Sequence, residues 1–305
     1  MLGEILFGAS GLAVAGFTLF ANWGRIKSKL SDRSEESKDT AVVCVGLEKS
    51  RFAGNCPGAG IDASNMASLL KQYASGGLTL LLNQQATAAN VVSALEAAVG
   101  HDLCIFYYSG HGGRDENESK NRFGETDGRN EYLCPYDRMI LDDRIWSIIC
   151  KSKGRVMCIF DCCHSGTMYR AIDRKESIDM KTGPYPFTFR RFLHKYEFDR
   201  DLDLSRAKSD AMSLPDYEKS RYVEQALDRY EKAGPRLLCW SASQENEYSY
   251  GAGTGGIFTN KLIQSYGKGR TYSEVWSKLD KKMRGEPNTP IKTQFGKGFG
   301  GKIFR

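Results

Sequence analysis

The feature that most constrains the fold is an alternation of short apolar runs with helical stretches, which begins at Ala41. This alternation is typical of an α/β fold with a mostly parallel sheet, because a helix between two strands returns the chain to the same sheet. Strands are predicted at Ala41–Leu47, Thr79–Leu82, Asp102–Ser109, Arg155–Asp161 and, as the last strand, Arg236–Ser241. Helices are predicted at Ala63–Tyr73, Ala89–Val99, Asp142–Ser152, Ile257–Tyr266 and Tyr272–Met283.

Two polar segments interrupt this pattern. A loop is predicted at Gly112–Asn130, which is rich in Gly, Asn and acidic residues, and a long charged insertion covers about 167–235. Segments of this length inside a compact domain are usually functional or disordered. Residues 41–305 are therefore predicted to form one domain that carries the insertion.

The charge balance argues against nucleic-acid binding. The net charge of +6 comes from 43 Lys and Arg against 37 Asp and Glu, and the two signs are interleaved along the chain. Nucleic-acid-binding surfaces are typically built from clustered basic residues, and no such block is present. No nucleic-acid partner is expected.

The cysteines are predicted to be mostly core residues in a reducing compartment. Their number is nine, and Cys44, Cys104, Cys150, Cys158 and Cys239 lie in apolar runs, where free cysteine behaves as a small hydrophobe. No CxxC pair occurs, which excludes a zinc ribbon or a thioredoxin-type motif.

The N-terminus is predicted to be a single membrane-spanning helix. Ile5–Gly24 contains no charged residue, and a helix of that length spans about 30 Å, the thickness of a bilayer core. The alternative is a cleaved signal sequence, but the positive charges Arg25, Lys27 and Lys29 follow the apolar run rather than precede it. Residues 1–26 are thus interpreted as an anchor and 27–40 as a flexible tether, with the remainder on the cytoplasmic side.

Two motifs carry the candidate chemistry. The first is Tyr107–Gly113 (YYSGHGG) and the second is Phe160–Gly166 (FDCCHSG), and both are predicted as loops at the carboxyl ends of buried strands. In an open α/β sheet, sites form at those ends. A cysteine nucleophile needs a base that raises its thiolate fraction, and histidine is the usual partner.

Strand alternation assigns the side chains within these motifs. Asp161 and Cys163 are predicted to share one face, and Cys162 to point into the core on the other. By the same parity Ser109 and His111 face together. Cys163 is therefore the predicted nucleophile, and Gly112 with its neighbouring glycine would let the backbone approach a substrate and donate N–H groups to an oxyanion.

These motifs resemble those of the metacaspases, the arginine- and lysine-specific relatives of caspases. YSGHG (Tyr108–Gly112) and DCCHSG (Asp161–Gly166) match in order and spacing. Weaker matches lie at Gly58–Ala63, at Leu133–Asp143, and from Ser241 to Thr259. The resemblance covers about Ala41 to the C-terminus without the insertion, and it implies a caspase-like sandwich whose mostly parallel central sheet is flanked by helices.

The resemblance also implies roles for individual residues. Cys163 would be the nucleophile and His111 the general base, with the backbone N–H groups of Gly112 and Cys163 as oxyanion donors. Asp161, Asp62 and Ser109 would form the pocket for a P1 arginine or lysine, the residue just before the cleaved bond. A pocket with two carboxylates should reject an acidic residue, so strict aspartate specificity is not expected.

Two further implications concern calcium and self-processing. Many metacaspases bind calcium through four aspartates, of which Asp142 and Asp143 match two, whereas the others fall on Asn130 and Arg170. A guanidinium cannot ligate calcium, so no cofactor is expected to be required, and Asp142 and Asp143 are interpreted as helix-capping residues. The less favoured alternative is a calcium site at Asp142 and Asp143. The family often cuts itself in the insertion, where basic residues suitable for P1 are Arg174, Lys175, Arg190, Arg191 and Lys195. The alternative is a solvated surface helix and loop that is never cut.

Three functions remain open on the sequence. The main hypothesis is a cysteine endopeptidase that acts on protein substrates with basic P1 residues. The alternatives are a membrane-tethered pseudo-peptidase that serves as a scaffold, and a metal site built from Cys162, Cys163, His164 and His111. Adjacent residues seldom converge on one tetrahedral ion, so the metal site is the least favoured.

Overall fold

The structure is a computed structural model, and it describes residues 39–51, 53, 55–115, 130–163, 235–242, 251–252 and 254–305. The strands are β1 (Thr40–Gly46), β2 (Gly77–Leu82), β3 (Leu103–Asp115), β4 (Asn130–Leu133), β5 (Ile140–Leu141), β6 (Arg155–Cys163), β7 (Arg236–Ser241), β8 (Gly251–Ala252), β9 (Gly255–Gly256) and β10 (Ile291–Phe295). The helices are α1 (Ala59–Leu70), α2 (Ala88–Ala98), α3 (Asp142–Ile149), α4 (Ile257–Ser265) and α5 (Tyr272–Met283), with short 3₁₀ turns at Lys71–Tyr73 and Asn83–Gln85.

The main sheet has the strand order β10-β7-β6-β3-β1-β2. The pairs β2–β1, β1–β3, β3–β6 and β6–β7 are parallel, and the edge strand β10 runs antiparallel to its neighbour β7. The predicted α/β fold with a mostly parallel sheet is therefore confirmed. Because all the parallel strands run the same way, their carboxyl ends form one edge of the sheet, where sites form in such folds.

Helices cover both faces of the sheet, so each face has its own apolar core. On one face, Val43, Phe106 and Cys158 pack with α2 and α3, which contribute Leu95 and Ile145. On the other face, the adjacent strand residues Val42, Ile105 and Met157 pack with the remaining helices. These helices contribute Met66 on α1, Phe258 on α4 and Val275 on α5. The strands are buried on both faces, which is why they read as continuous apolar runs.

Five strands were not predicted, namely β4, β5, β8, β9 and β10, and two predicted segments have other limits in the structure. Arg236–Ser241 is not the last strand, because Ile291–Phe295 forms the antiparallel edge strand β10. The loop predicted from Gly112 begins later, since β3 continues to Asp115 and pairs there with β4, which in turn pairs with β5. These strands are short or alternate apolar with polar residues, so they lack the buried apolar run that identified the others.

The predicted membrane anchor at 1–26 lies outside the described residues, as do residues 27–38 of the predicted tether and nearly all of the 167–235 insertion. In the portion of the chain that is described, no helix has the length and apolar character needed to cross a bilayer.

Candidate active site

The two motifs lie on adjacent parallel strands rather than on loops. The β3–β6 pairing sets Ser109 opposite Asp161 and His111 opposite Cys163, and the pairing ends there. Both motifs were predicted to be loops, but this is wrong for the parts that the strands include. The first motif lies entirely on β3, which continues to Asp115, and the second lies on β6 as far as Cys163. Neighbouring strands are about 4.8 Å apart, so the candidate base and the candidate nucleophile occupy adjacent backbone positions at the carboxyl edge.

The backbone around His111 is fixed by two hydrogen bonds. Its carbonyl oxygen accepts the hydroxyl of buried Tyr108 at 2.7 Å and the backbone N–H of Cys134 at 3.0 Å. The bond from Cys134 makes Gly112 and Leu133 a non-hydrogen-bonded pair of the antiparallel β3–β4 ladder. In such a pair the N–H group points away from the partner strand, so the N–H of Gly112 is directed away from β4.

A buried pair of carboxylates lies beside this position, on the sheet face that α1 and α4 cover. Asp161 at the end of β6 and Asp62 in the first turn of α1 are each only 2% exposed, and Ser109 is 3% exposed. The hydroxyl of Ser109 donates to Oδ2 of Asp62 at 3.1 Å. The structure therefore brings together the three residues predicted to form a P1 pocket, although they come from three different elements.

The chain segment before and within α4 supplies further donors to the two carboxylates. The backbone N–H of Gly256 donates to both oxygens of Asp62 at 2.9 Å. The backbone N–H and the hydroxyl of Thr259 donate to Oδ2 of Asp161 at 3.1 and 2.7 Å. In the sequence, Gly256 to Thr259 form part of a weak family match, but a glycine and a threonine at a helix start give no signal of a site.

The glycines of this segment let the backbone approach the carboxylates. A Cβ on Gly256 would collide with Oδ2 of Asp161, and one on Gly255 would collide with Oδ1 of Asp62. Gly255 also has a φ of +108°, which other residues rarely adopt. A residue with a side chain at either position would displace the donors from the carboxylates.

The ionisation of Asp62 reflects this setting. Burial, and then the negative charge of Asp161, raise the pKa of Asp62 to about 7, against smaller lowering effects from the Gly256 N–H and the Ser109 hydroxyl. Glu48 adds a further small upward contribution to the same pKa. Two buried carboxylates thus share a space in which a cation would stabilise the charged form of both.

The sequence profile of the caspase domain matches residues 41–297. This chain belongs to the caspase-domain family. Metacaspase-1 from Ajellomyces capsulatus is 26% identical over 260 residues, which cover 74% of this chain and 69% of that protein. Metacaspase III c from Phaeodactylum tricornutum is 28% identical over 166 residues, which cover 47% of this chain and 48% of that protein.

Solved structures agree on the fold. Protein GSU0716 from Geobacter sulfurreducens superposes with a TM-score of 0.57 at 21% identity, and the match covers 87% of this chain and 98% of that one. Caspase-1 from Spodoptera frugiperda superposes with a TM-score of 0.50 at 10% identity over 89% of this chain and 94% of that one. The chain belongs to the caspase-domain family and is similar to metacaspases, so it is a cysteine-type peptidase in general terms.

The cysteines of this caspase-domain chain follow the prediction with one exception. Cys162 is buried in the core on the α2–α3 face, as expected for a packing residue next to the candidate nucleophile. The other four cysteines assigned to the core, Cys44, Cys104, Cys158 and Cys239, are all buried, but Cys150 is exposed. The helix α3 ends at Ile149, and Cys150 is its C-terminal cap residue, outside the stripe that faces the sheet.

The residues considered for calcium are only partly described. Asp142 is fully buried as the first residue of α3, and Leu141 is the N-cap residue, so Asp142 does not occupy the N-cap position. The side chains of Asp143, Asn130 and Arg170 lie outside the described residues. In the described part of the chain no three His, Cys, Asp or Glu side chains are grouped to hold a metal ion.

Proposed function

We propose that the chain is a cysteine endopeptidase that cleaves after arginine or lysine, with Cys163 as the nucleophile and His111 as the general base. The observation that carries the specificity is the buried pair of Asp62 and Asp161 at the carboxyl edge of the sheet. A pocket with two carboxylates favours a cationic side chain and repels an acidic one.

The reaction follows from the arrangement of the two strands. The His111 imidazole accepts the thiol proton of Cys163, whose sulfur attacks the carbonyl carbon of the basic P1 residue. The backbone N–H groups of Gly112 and Cys163 bind the oxyanion of the tetrahedral intermediate, and the direction of the Gly112 N–H away from β4 supports this role. His111 then protonates the leaving amine, and water releases the acyl group from the sulfur.

The test is hydrolysis of fluorogenic peptides by the full-length chain, with arginine, lysine or aspartate at P1 in otherwise identical peptides. The arginine and lysine peptides are expected to be cleaved at least about a hundredfold faster than the aspartate peptide. Cys163→Ala should abolish cleavage, whereas Cys162→Ala, the neighbouring cysteine in the core, should retain it. Cleavage after aspartate, or full activity of Cys163→Ala, would refute the assignment; no cleavage by folded wild-type chain would favour the scaffold function.

We further propose that the enzyme cuts itself within the 167–235 insertion, after one of the basic residues Arg174, Lys175, Arg190, Arg191 or Lys195. Insertions of this kind are accessible to proteases when they are mobile. Wild-type chain mixed with Cys163→Ala chain should yield fragments of the latter that end at one of these residues, as read by mass spectrometry. Intact Cys163→Ala chain after prolonged incubation with active enzyme would refute self-processing in trans.

We also propose that residues 1–26 anchor the enzyme in a membrane with the peptidase domain on the cytoplasmic side. The uncharged run followed by basic residues supports this orientation. Full-length chain should remain in the membrane fraction after alkaline carbonate extraction, and the peptidase domain should be digested by protease added to the cytoplasmic side. Release by carbonate, or an N-terminus that starts after the apolar run, would contradict the anchor.

A further inference from the structure

Each carboxylate of the Asp62–Asp161 pair receives one side-chain hydroxyl. Thr259 on α4 is fully buried, and its hydroxyl donates to Asp161 at 2.7 Å, in addition to the bond from its own N–H. On the other arm, the hydroxyl of Ser109 donates to Asp62 at 3.1 Å. The two arms come from different elements, since Ser109 lies on β3.

The hydroxyl of Tyr107 connects the Thr259 arm to β3, the strand that also carries Ser109. It lies 2.6 Å from Oγ1 of Thr259. A threonine hydroxyl has a single proton, and that of Thr259 goes to Asp161, so Tyr107 is the donor in its bond to Thr259. Burial, and then the charges of Asp161 and Asp62, raise the pKa of Tyr107 well above its usual range, so the phenol keeps its proton at neutral pH.

Together these hydrogen bonds restrict the positions of the two carboxylate groups more than a single contact would. Tyr107 and Ser109 are two residues apart on β3, so both hydroxyls are attached to the same rigid central strand. Thr259 is tied to Tyr107 on one side and to Asp161 on the other, which leaves its hydroxyl little freedom to rotate. Buried polar networks in which each member is satisfied are rigid for this reason.

We propose that Thr259 and Tyr107 are positioning residues that hold the Asp62 and Asp161 carboxylates at a fixed separation and thereby give the pocket a preference for P1 arginine over lysine. This proposal rests on the proposed function above. A guanidinium presents its N–H groups in a planar fork, so it needs acceptors at set positions. An ammonium is a compact donor that tolerates displaced acceptors.

The test compares kcat and KM of the full-length chain for two peptides that differ only in arginine or lysine at P1. Thr259→Val keeps the shape and removes the hydroxyl, and it is expected to lower kcat/KM for the arginine peptide about tenfold, mainly through KM. The lysine peptide should lose less than about threefold. Thr259→Ser restores the hydroxyl and should be within about twofold of wild type for both peptides.

A matched control and a second variant guard against a merely structural effect. Ser265→Ala removes another buried hydroxyl of α4, one that bonds only to Lys261 within the helix, and it should leave both peptides unchanged. Tyr107→Phe removes the donor to Thr259 while leaving both bonds from Thr259 to Asp161, and it should lower the arginine-to-lysine ratio about threefold. This variant decides the matter if Thr259→Val does not fold.

The outcomes separate this proposal from the function on which it rests. Equal losses for the two peptides, a loss carried by kcat, or an unchanged ratio in Tyr107→Phe would overturn the positioning role while leaving the peptidase intact. A Thr259→Ser variant as impaired as Thr259→Val would overturn it as well. Wild-type chain that cleaves neither basic peptide would overturn both proposals.

Discussion

At the scale of single residues, the environment of Asp62 favours its neutral form, whereas the proposed binding of a basic side chain requires its charged form. Burial and the neighbouring Asp161 disfavour its charged form, so its pKa rises from the usual 3.8 to about 7. A basic P1 side chain would need that charge. In the proposed pocket, a bound cation would favour the charged forms of both Asp62 and Asp161 at neutral pH.

Asp62→Asn tests this opposition through stability. The folded state keeps the Asp62 proton up to about pH 7, whereas the unfolded chain loses it near 3.8, so the free energy of unfolding falls as pH rises between these values. Asparagine carries no such dependence. Relative to wild type, Asp62→Asn should gain roughly 2–4 kcal/mol in free energy of unfolding between pH 4 and pH 8. Urea denaturation at the two pH values measures this difference, and a constant difference would contradict it.

The same titration should govern binding of a basic ligand. On the Cys163→Ala background, which removes cleavage, a peptide with P1 arginine should bind more weakly as pH falls below about 7, because Asp62 becomes protonated. Asp62→Asn should bind the peptide weakly at every pH and show little of this dependence. Calorimetric titration between pH 5.5 and about 8.5 gives both curves. Identical pH dependence with and without Asp62 would assign the titration to another group.

At the scale of elements, the sequence predicted the strands that contain continuous apolar runs. β1, β3, β6 and β7 were found, and their parity correctly buried Cys162 on the α2–α3 face. β10 was missed because its polar residues Lys292 and Gln294 alternate with inward-facing ones at the sheet edge. Thr259 was missed for another reason: its role depends on a contact with β6, far away in sequence, that no local pattern records.

The segment before α4 lies close to the two carboxylates, and a glycine-to-alanine substitution tests whether cleavage requires this close approach. Gly256 has a φ of −72°, which alanine adopts freely, so the effect of Gly256→Ala comes from the collision of its Cβ with Asp161 and its close approach to Asp62. Cleavage of the arginine peptide should fall at least about tenfold. Gly100→Ala is the matched control, because its Cβ would meet only an ordinary contact with the carbonyl of Ala97, and it should be unaffected. Normal cleavage by Gly256→Ala would show that this approach is not needed.

At the scale of the whole molecule, the C-terminal segment is held against the start of β6 by one buried cation. Arg155 is 2% exposed, and its guanidinium donates to the carbonyl oxygens of Gly298 and Arg305 at 2.6 and 2.7 Å. It also lies over the ring of Phe299. The segment packs on the same core as α1, α4 and α5, so this anchor supports the face on which the carboxylate pair lies.

Arg155→Met should therefore destabilise the fold rather than alter the chemistry. Loss of two buried charged hydrogen bonds is expected to lower the free energy of unfolding by roughly 3 kcal/mol, with kcat of the folded fraction unchanged. Arg284→Met is the control, because that side chain is 76% exposed and pairs only with Asp280 across one helical turn. It should change stability by less than about 0.5 kcal/mol. Equal denaturation midpoints for the two variants would contradict the anchor.

The central claim is that one of nine cysteines, Cys163, is the nucleophile of a pocket that selects a basic side chain. The most direct measurement is labelling of the full-length chain with a thiol-reactive peptide inhibitor that carries arginine at P1, followed by peptide mapping. The account predicts a single label on Cys163, none with an aspartate inhibitor of the same sequence, and slower labelling in Asp62→Asn. A label on any other cysteine, or equal labelling by the aspartate inhibitor, would contradict it.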